Sequence, residues 1–230
     1  MPARPQRAER ILIPGPAGVI EALVETPEQH DAGHFGVVCH PHPLYGGTLD
    51  NKVVHTLARA FQELGAATIR FNFRGVGGTA GAFDHGRGEA DDALAVVAYG
   101  RQIFNGAALW LAGFSFGGAI AVKSAARAQP DRLVVVAPGV TLLDLGSDVP
   151  SCPWLIVQGD ADDVIEPRYV LDWASKLVPR PRHEGDRVPG PEIRVLEGAG
   201  HFFHGRLHDL RQAVLAFMRG AAAPSASAQN

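Results

Sequence analysis

The chain of 230 residues has few of the features that mark secreted, membrane-spanning or nucleic-acid-binding proteins. Its two cysteines, Cys39 and Cys152, are too few and too far apart for a disulfide framework, so we expect a reducing compartment. No apolar run reaches membrane-spanning length, and residues 1–10 lack the apolar core of a signal peptide. The net charge of −3 gives no reason to expect nucleic acid or an anionic membrane as partner. We therefore expect a cytoplasmic protein.

The composition is that of an ordinary globular domain, with 46% hydrophobic and 20% charged residues. No internal repeat or linker divides the chain, so residues 1–219 are predicted to form a single domain. Residues 220–230 are rich in Ala, Ser, Pro and Gln, which predicts a disordered tail.

Predicted strands and helices alternate along the chain. A hairpin around the turn Pro14-Gly15-Pro16 is predicted at one edge of the sheet. This alternation predicts an α/β fold, with a mostly parallel central sheet and helices on both faces. Ligands of such sheets bind beyond the carboxyl ends of the strands. The predicted strands are 11–13, 19–25, 35–40, 66–72, 107–113, 132–137, 154–158 and 193–196, and the predicted helices are 51–64, 89–101, 117–127, 168–177 and 207–219.

One strand-to-helix junction carries a nucleophile pattern, Gly113-Phe114-Ser115-Phe116-Gly117. A strand that turns directly into a helix strains its turning residue and requires small residues two positions to either side. Such a turn exposes the hydroxyl of Ser115 in front of the free N–H groups of the helix. A plain Gly/Ser turn is the alternative reading of the five residues, but the complete strand–turn–helix context favours a nucleophile.

A second loop, residues 40–47, follows the strand at 35–40 and is stiffened by two prolines. Cys39, His40 and His42 cluster here, which raises the alternative of a metal site. Neighbouring side chains of an extended chain point opposite ways, and no second group of ligands at metal spacing is evident. We expect instead a rigid loop that directs a backbone N–H toward the site, with no metal bound.

Two further loops after strands supply an acid and a base. Residues 158–167 contain Asp160, Asp162 and Asp163, and His201 lies among small residues after the last predicted strand. A serine needs an adjacent base, and a carboxylate fixes the tautomer of a histidine base. The residues alone do not choose among the three aspartates.

The sequence resembles the α/β-hydrolase superfamily, in particular its small lidless bacterial members in the dienelactone-hydrolase-like branch. The resemblance spans residues 11–219 and is carried by residues 39–52, by the Arg-Phe-Asn-Phe-Arg-Gly-Val-Gly stretch at 70–77 and by the turn around Ser115. The chain order serine, acid, histidine is typical of this fold. Dienelactone hydrolases carry a cysteine nucleophile where this chain has Ser115, which argues against a dienelactone substrate.

The resemblance implies a role for each candidate residue. Ser115 is the nucleophile, His201 the base and Asp162 the acid. In the oxyanion hole, one donor is the N–H of Phe116 and the other is assigned to His42, while Leu44 and Tyr45 remain possible. No metal or organic cofactor is implied.

We therefore expect a serine hydrolase that cleaves a small carboxylic ester or thioester through an acyl-enzyme. The alternatives are a peptidase on the same scaffold, a non-catalytic binding protein and a nucleotide-binding protein that uses the glycines at 75–78 or those around Ser115. Only residues 138–153 stand where many lipases insert a lid, so we expect an open pocket with Leu44, Tyr45, Phe116 and Phe202 as its walls. The expected partner is a small molecule, and the protein is expected to be a monomer or homodimer.

Overall fold

A computed structural model describes residues 5–146, 150–177 and 190–220. The predicted tail lies almost wholly outside this range, and Gly220 is the last residue of the final helix.

Within these described ranges, eight strands form one sheet in the order β1-β2-β4-β3-β5-β6-β7-β8. Strands β3 to β8 run parallel to their neighbours among themselves, while β1 and β2 are antiparallel additions. The predicted mostly parallel sheet is therefore confirmed. The bounds are β1 Pro5–Gly15, β2 Gly18–Pro27, β3 His34–Cys39, β4 Ala67–Phe71, β5 Ala108–Phe114, β6 Arg132–Val136, β7 Trp154–Gly159 and β8 Glu192–Leu196.

The predicted hairpin is present at the sheet edge, but its turn lies at residues 16 and 17 rather than at 14–16. Gly15 pairs with Gly18, and Pro14 is still within β1, opposite Val19. An edge strand tolerates proline because one side of it has no ladder to lose.

The predicted covering of both sheet faces by helices is also confirmed. The apolar sides of α1 and α5 pack on one face, around Phe61 and Val214. Residues of α2, α3 and α4, such as Val96, Ile120 and Val170, pack on the other. The helices are α1 Lys52–Glu63, α2 Arg87–Ile103, α3 Phe116–Ala128, α4 Pro167–Ser175 and α5 Leu207–Gly220, with a short 3₁₀ turn at Pro43–Tyr45.

The connection between β6 and β7 contains no helix in its described parts, residues 137–146 and 150–153. Since helices are what a multi-helix lid requires, the described parts of this connection do not form such a lid. None of the helices within the described ranges has both the length and the apolar composition needed to cross a bilayer.

Candidate active site

Ser115 lies in a strained turn between β5 and α3. Its backbone has φ 55° and ψ −119°, a conformation that side-chain-bearing residues rarely adopt. The two flanking glycines are sterically required, as the sequence predicted. A Cβ at Gly113 would overlap the carbonyl oxygen of Gly117, and one at Gly117 would overlap that of His40. The close approach of strand, helix and loop thus depends on these two glycines.

Three predicted side chains from three different loops form one hydrogen-bonded chain. His201 Nε2 lies 3.0 Å from Ser115 Oγ, and His201 Nδ1 lies 2.9 Å from Asp162 Oδ2. All three residues are buried. With the Nδ1 proton donated to the carboxylate, Nε2 of neutral His201 is free to accept the proton of the serine hydroxyl.

The structure distinguishes the three aspartates. Asp162 is the one that reaches His201, and it is buried, whereas Asp160 and Asp163 are exposed. Asp160 instead accepts a hydrogen bond from the N–H of Gly198, so it braces the loop that carries His201. Of the three aspartates that the residues alone left open, Asp162 is therefore the one whose position fits the acid.

The carboxylate of Asp162 is held by four donors. Oδ1 accepts the N–H groups of Val164 and Ile165, while Oδ2 accepts from His201 and from the amide of Gln158. Burial raises the pKa of Asp162, but the hydrogen bonds from His201, Ile165 and Val164 outweigh it and hold the pKa below its usual range. The carboxylate is therefore ionised and fixed at neutral pH.

Sequence reasoning missed the role of Gln158. This residue is completely buried at the end of β7, and its Nε2 also lies within reach of the carbonyls of Ile165 and Gly159. Its Oε1 is buried without a hydrogen-bond partner among the described residues. A polar side chain at the end of the apolar run Trp-Leu-Ile-Val was the available signal.

The loop after β3 is fastened by His40 rather than by a metal. His40 Nδ1 lies 2.6 Å from the carbonyl oxygen of Pro41, and Nε2 accepts the N–H of Phe73 at 2.9 Å. Both ring nitrogens are thus engaged, and burial lowers the pKa of His40 to about 4. Burial also raises the pKa of the Cys39 thiol, which keeps the thiol protonated. This arrangement does not fit metal ligation by Cys39 and His40.

The two predicted oxyanion donors belong to Phe116, which directly follows Ser115, and to His42 in the loop after β3. The N–H of Phe116 is the first of α3, and within the described residues neither it nor the N–H of His42 has a hydrogen-bond partner. His42 precedes the 3₁₀ turn, and its carbonyl accepts the N–H groups of Tyr45 and Gly47. The N–H of Tyr45 is consumed in this way, and the N–H of Leu44 is donated to His42 Nδ1. Of the three candidates His42, Leu44 and Tyr45, only His42 keeps an undonated N–H among the described residues, which makes it the better candidate for the second donor.

An open cavity of about 280 Å³ lies over Ser115 and His201. Its walls are mostly apolar, and several of them are exposed at the rim, including Val164 and Leu142. The lining residues are Pro41, His42, Tyr45, Gly46, Gly47, Asn51, Ser115, Leu142, Val164, His201 and Phe202.

Two of the predicted walls are wrong. Tyr45 and Phe202 line the cavity as expected. Leu44 does not line it: this residue of the 3₁₀ turn is 67% exposed to solvent. Phe116 also does not line the cavity. Its ring is buried in the core against His42 and Phe73.

The fold is that of the α/β hydrolases, and comparisons with known proteins agree. The family model for the alpha/beta hydrolase fold matches residues 37–150. An uncharacterized protein from Rickettsia prowazekii (strain Madrid E) is 32% identical over 211 residues, which is 89% of this chain and 86% of that protein. This chain belongs to the α/β-hydrolase family.

Two solved structures are similar over nearly their whole length. An α/β serine hydrolase without a lid from Xanthomonas campestris is 38% identical, with 97% of this chain and 100% of that chain covered and a TM-score of 0.85. An α/β serine hydrolase homologue from Coxiella burnetii is 40% identical, with 93% and 97% covered and a TM-score of 0.79. The predicted resemblance to lidless serine hydrolases is therefore confirmed.

Proposed function

We propose that this protein is a serine esterase or thioesterase that uses Ser115, His201 and Asp162 as a catalytic triad. The observation that carries the proposal is the hydrogen-bonded chain from Ser115 Oγ through His201 to Asp162 beneath an open cavity. A binding protein has no need for this full arrangement around a strained serine.

The first half-reaction acylates the serine. As Ser115 Oγ attacks the carbonyl carbon of the substrate, its proton passes to His201 Nε2. The developing negative charge on the carbonyl oxygen is placed between the free N–H groups of Phe116 and His42. When the tetrahedral intermediate collapses, His201 returns the proton to the departing alcohol or thiol.

The second half-reaction releases the acid. A water molecule gives a proton to His201 Nε2 and attacks the acyl carbon, and collapse of the second tetrahedral intermediate returns that proton to Ser115 Oγ. The ionised Asp162 stabilises the imidazolium form of His201 in both halves. No step needs a metal or an organic cofactor.

A small ester or thioester is favoured over a peptide because of the cavity. Its volume of about 280 Å³ lies below the roughly 300–1,000 Å³ of sites that enclose drug-sized ligands, and its walls are apolar. We further propose action in the cytoplasm on a small-molecule substrate, by a monomer or homodimer. The free, buried thiol of Cys39 supports a reducing compartment.

The proposal is tested with a fluorophosphonate probe, which phosphonylates an activated serine. Folded protein should be labelled, and Ser115→Ala should lose both the label and, by on the order of 10³-fold or more, kcat on 4-nitrophenyl acetate. Ser124, which is buried on α3 outside the triad, provides the control, since Ser124→Ala should keep both. Absence of labelling in the folded protein would instead favour a binding function.

A further inference from the structure

Apart from Ser115 and His201, each polar side chain that lines the cavity can donate a hydrogen bond. They are the amide of Asn51, the ring of His42 and the hydroxyl of Tyr45. Among the residues that line the cavity there is no carboxylate. A wall equipped in this way complements a substrate group that only accepts hydrogen bonds.

Asn51 is fixed with its amide nitrogen unused. Its Oδ1 caps α1 by accepting the N–H groups of Val53 at 2.9 Å and Val54 at 3.4 Å. With the oxygen held by the helix, the two Nδ2 protons have no partner among the described residues, and the residue lines the cavity. The cap orients this donor before any ligand arrives, so binding costs little additional ordering.

The ring of His42 is held as a second donor. Its Nδ1 accepts the N–H of Leu44 at 3.2 Å, and burial lowers its pKa, so the ring is neutral and its proton is on Nε2. The ring packs between Tyr45 and Phe116, which fixes its plane.

A separate basic groove lies further along α1 from Asn51, and its charge is a second observation that favours a negatively charged ligand. Its residues come from the first two turns of α1 and α5, whose N-termini lie at the same edge of the sheet as the triad. His55 follows Asn51 by one helical turn, and its N–H bonds to the carbonyl of Asn51. The groove has a volume of about 350 Å³ and is lined by His55, Thr56, Arg59, Leu207, His208 and Arg211.

The carboxylates near this groove are already paired with arginines. Glu63 lies 3.7 Å from Arg211 and also contacts Arg219. Arg59 donates to the neutral side chain of Gln62 and therefore keeps its full charge. Asp50, next to Asn51, is likewise paired with arginines, at 3.0 Å and 3.6 Å.

We propose that Asn51 is a specificity-determining residue that binds a carboxylate on the non-reacting part of the substrate, with the basic groove attracting that charge. The inference rests on the proposed function, because it concerns the same cavity. It narrows the substrate class to esters or thioesters that carry a second, ionised carboxyl group. A carboxylate is favoured over a bulkier phosphate because the cavity is small.

Binding to the Ser115→Ala protein tests this independently of turnover. Two pairs of near-isosteric esters are titrated by NMR: monoethyl glutarate against ethyl pentanoate, and the butanoyl ester of glycolate against propyl butanoate. The first pair places the carboxylate on the acyl side and the second on the alcohol side. In at least one pair the anionic ester should bind about tenfold more tightly, which corresponds to 1.4 kcal/mol.

Variants at position 51 distinguish three properties of the side chain: its hydrogen-bond donor, its lack of charge and its role as the N-cap of α1. Asn51→Ser and Asn51→Asp both retain a capping oxygen for α1, so melting should be little changed. Asn51→Ser should abolish the preference, measured as the ratio of the affinities for the anionic and the neutral ester, and Asn51→Asp should reverse it. The double variant Arg59→Gln/Arg211→Gln should weaken only the anionic ester, by about threefold, whereas Arg127→Gln on α3 should have no effect.

Equal or weaker binding of both anionic esters, absence of measurable binding by either of them, or a preference that survives Asn51→Asp would each overturn the inference. Turnover of both neutral esters by the wild-type protein in that case would leave the proposed hydrolase function standing. Conversely, a carboxylate preference in binding without any turnover would count against the hydrolase and in favour of the subsite.

Discussion

At the scale of single residues, the position of one carboxylate decides whether His201 can act as a base. Four hydrogen-bond donors hold the carboxylate of Asp162, whereas its neighbours Asp160 and Asp163 are exposed to solvent. Their chemistry is identical, so only their surroundings distinguish their roles.

We expect Asp162→Asn to lower kcat by on the order of 10³- to 10⁴-fold, because an amide at this position favours the wrong tautomer of His201. Asp163→Asn should change kcat less than threefold. Asp160→Asn should be milder than Asp162→Asn, since it weakens only the contact to Gly198. Steady-state kinetics on 4-nitrophenyl acetate measures all three, and a severe loss in Asp163→Asn alone would show that the acid is misassigned.

Gln158 should affect the pH at which kcat/KM falls on the acid side of its pH profile. Gln158→Met removes one donor from Asp162 Oδ2, which makes the carboxylate more basic and stabilises the imidazolium of His201. The acid limb of kcat/KM should therefore move upward by about half a unit to one pH unit. Gln62→Met, at another buried glutamine, is the matched control and should leave the limb in place. If the acid limb of kcat/KM does not shift in Gln158→Met, Gln158 contributes only to packing.

At the scale of elements, two loops on neighbouring strands are joined through one imidazole. His40, at the end of β3, accepts the N–H of Phe73, which follows β4. Protonation of His40 would place two N–H groups against each other, so the loop that offers the oxyanion donor of His42 depends on a neutral ring.

Stability should therefore fall as the pH is lowered from 7 toward 4.5. The pKa of His40 is about 4 in the folded protein and near 6.5 when unfolded, so between these values the unfolded chain binds more protons. This group alone should remove about 2 to 3 kcal/mol from the free energy of unfolding over that interval. Urea unfolding at both pH values measures it. His40→Gln should lose this part of the pH dependence, and an equally steep dependence in His40→Gln would contradict the assignment.

The elements themselves were largely predictable, because each strand or helix carries its own period. Helix α1 was predicted over residues 51–64 and spans Lys52–Glu63, with Asn51 as its N-cap and its end before Gly65 as the sequence indicated. The turn around Ser115 followed from its glycines. The cavity walls Leu142 and Val164 were not predictable in the same way. They lie in loops whose conformation depends on packing against distant parts of the chain. The orientation of Leu44 depends on such packing as well.

At the scale of the whole molecule, the site is a shallow cavity beside exposed apolar side chains. Tyr45 is 84% exposed, and Phe202 and Val164 are exposed as well. Only a short part of an acyl chain can be removed from water there, and each buried methylene contributes about 0.8 kcal/mol.

We therefore expect kcat/KM on 4-nitrophenyl esters to rise with acyl length only to about four to six carbons and then to level off. No increase in rate is expected when the substrate passes its solubility limit. A panel from acetate to laurate, with detergent-free and micellar conditions compared, measures both. A kcat/KM that climbs steadily to laurate would reveal an acyl tunnel that this cavity does not provide.

The three members of the proposed triad come from widely spaced parts of the chain, and this spacing has a consequence for protein synthesis. Ser115 and His201 are 86 residues apart, and His201 follows the last strand, β8, at the edge of the sheet. A ribosome releases the serine turn long before it releases the base. The unfinished polypeptide therefore carries a serine without a proton acceptor, and hydrolytic activity begins only when the final strand and helix have docked.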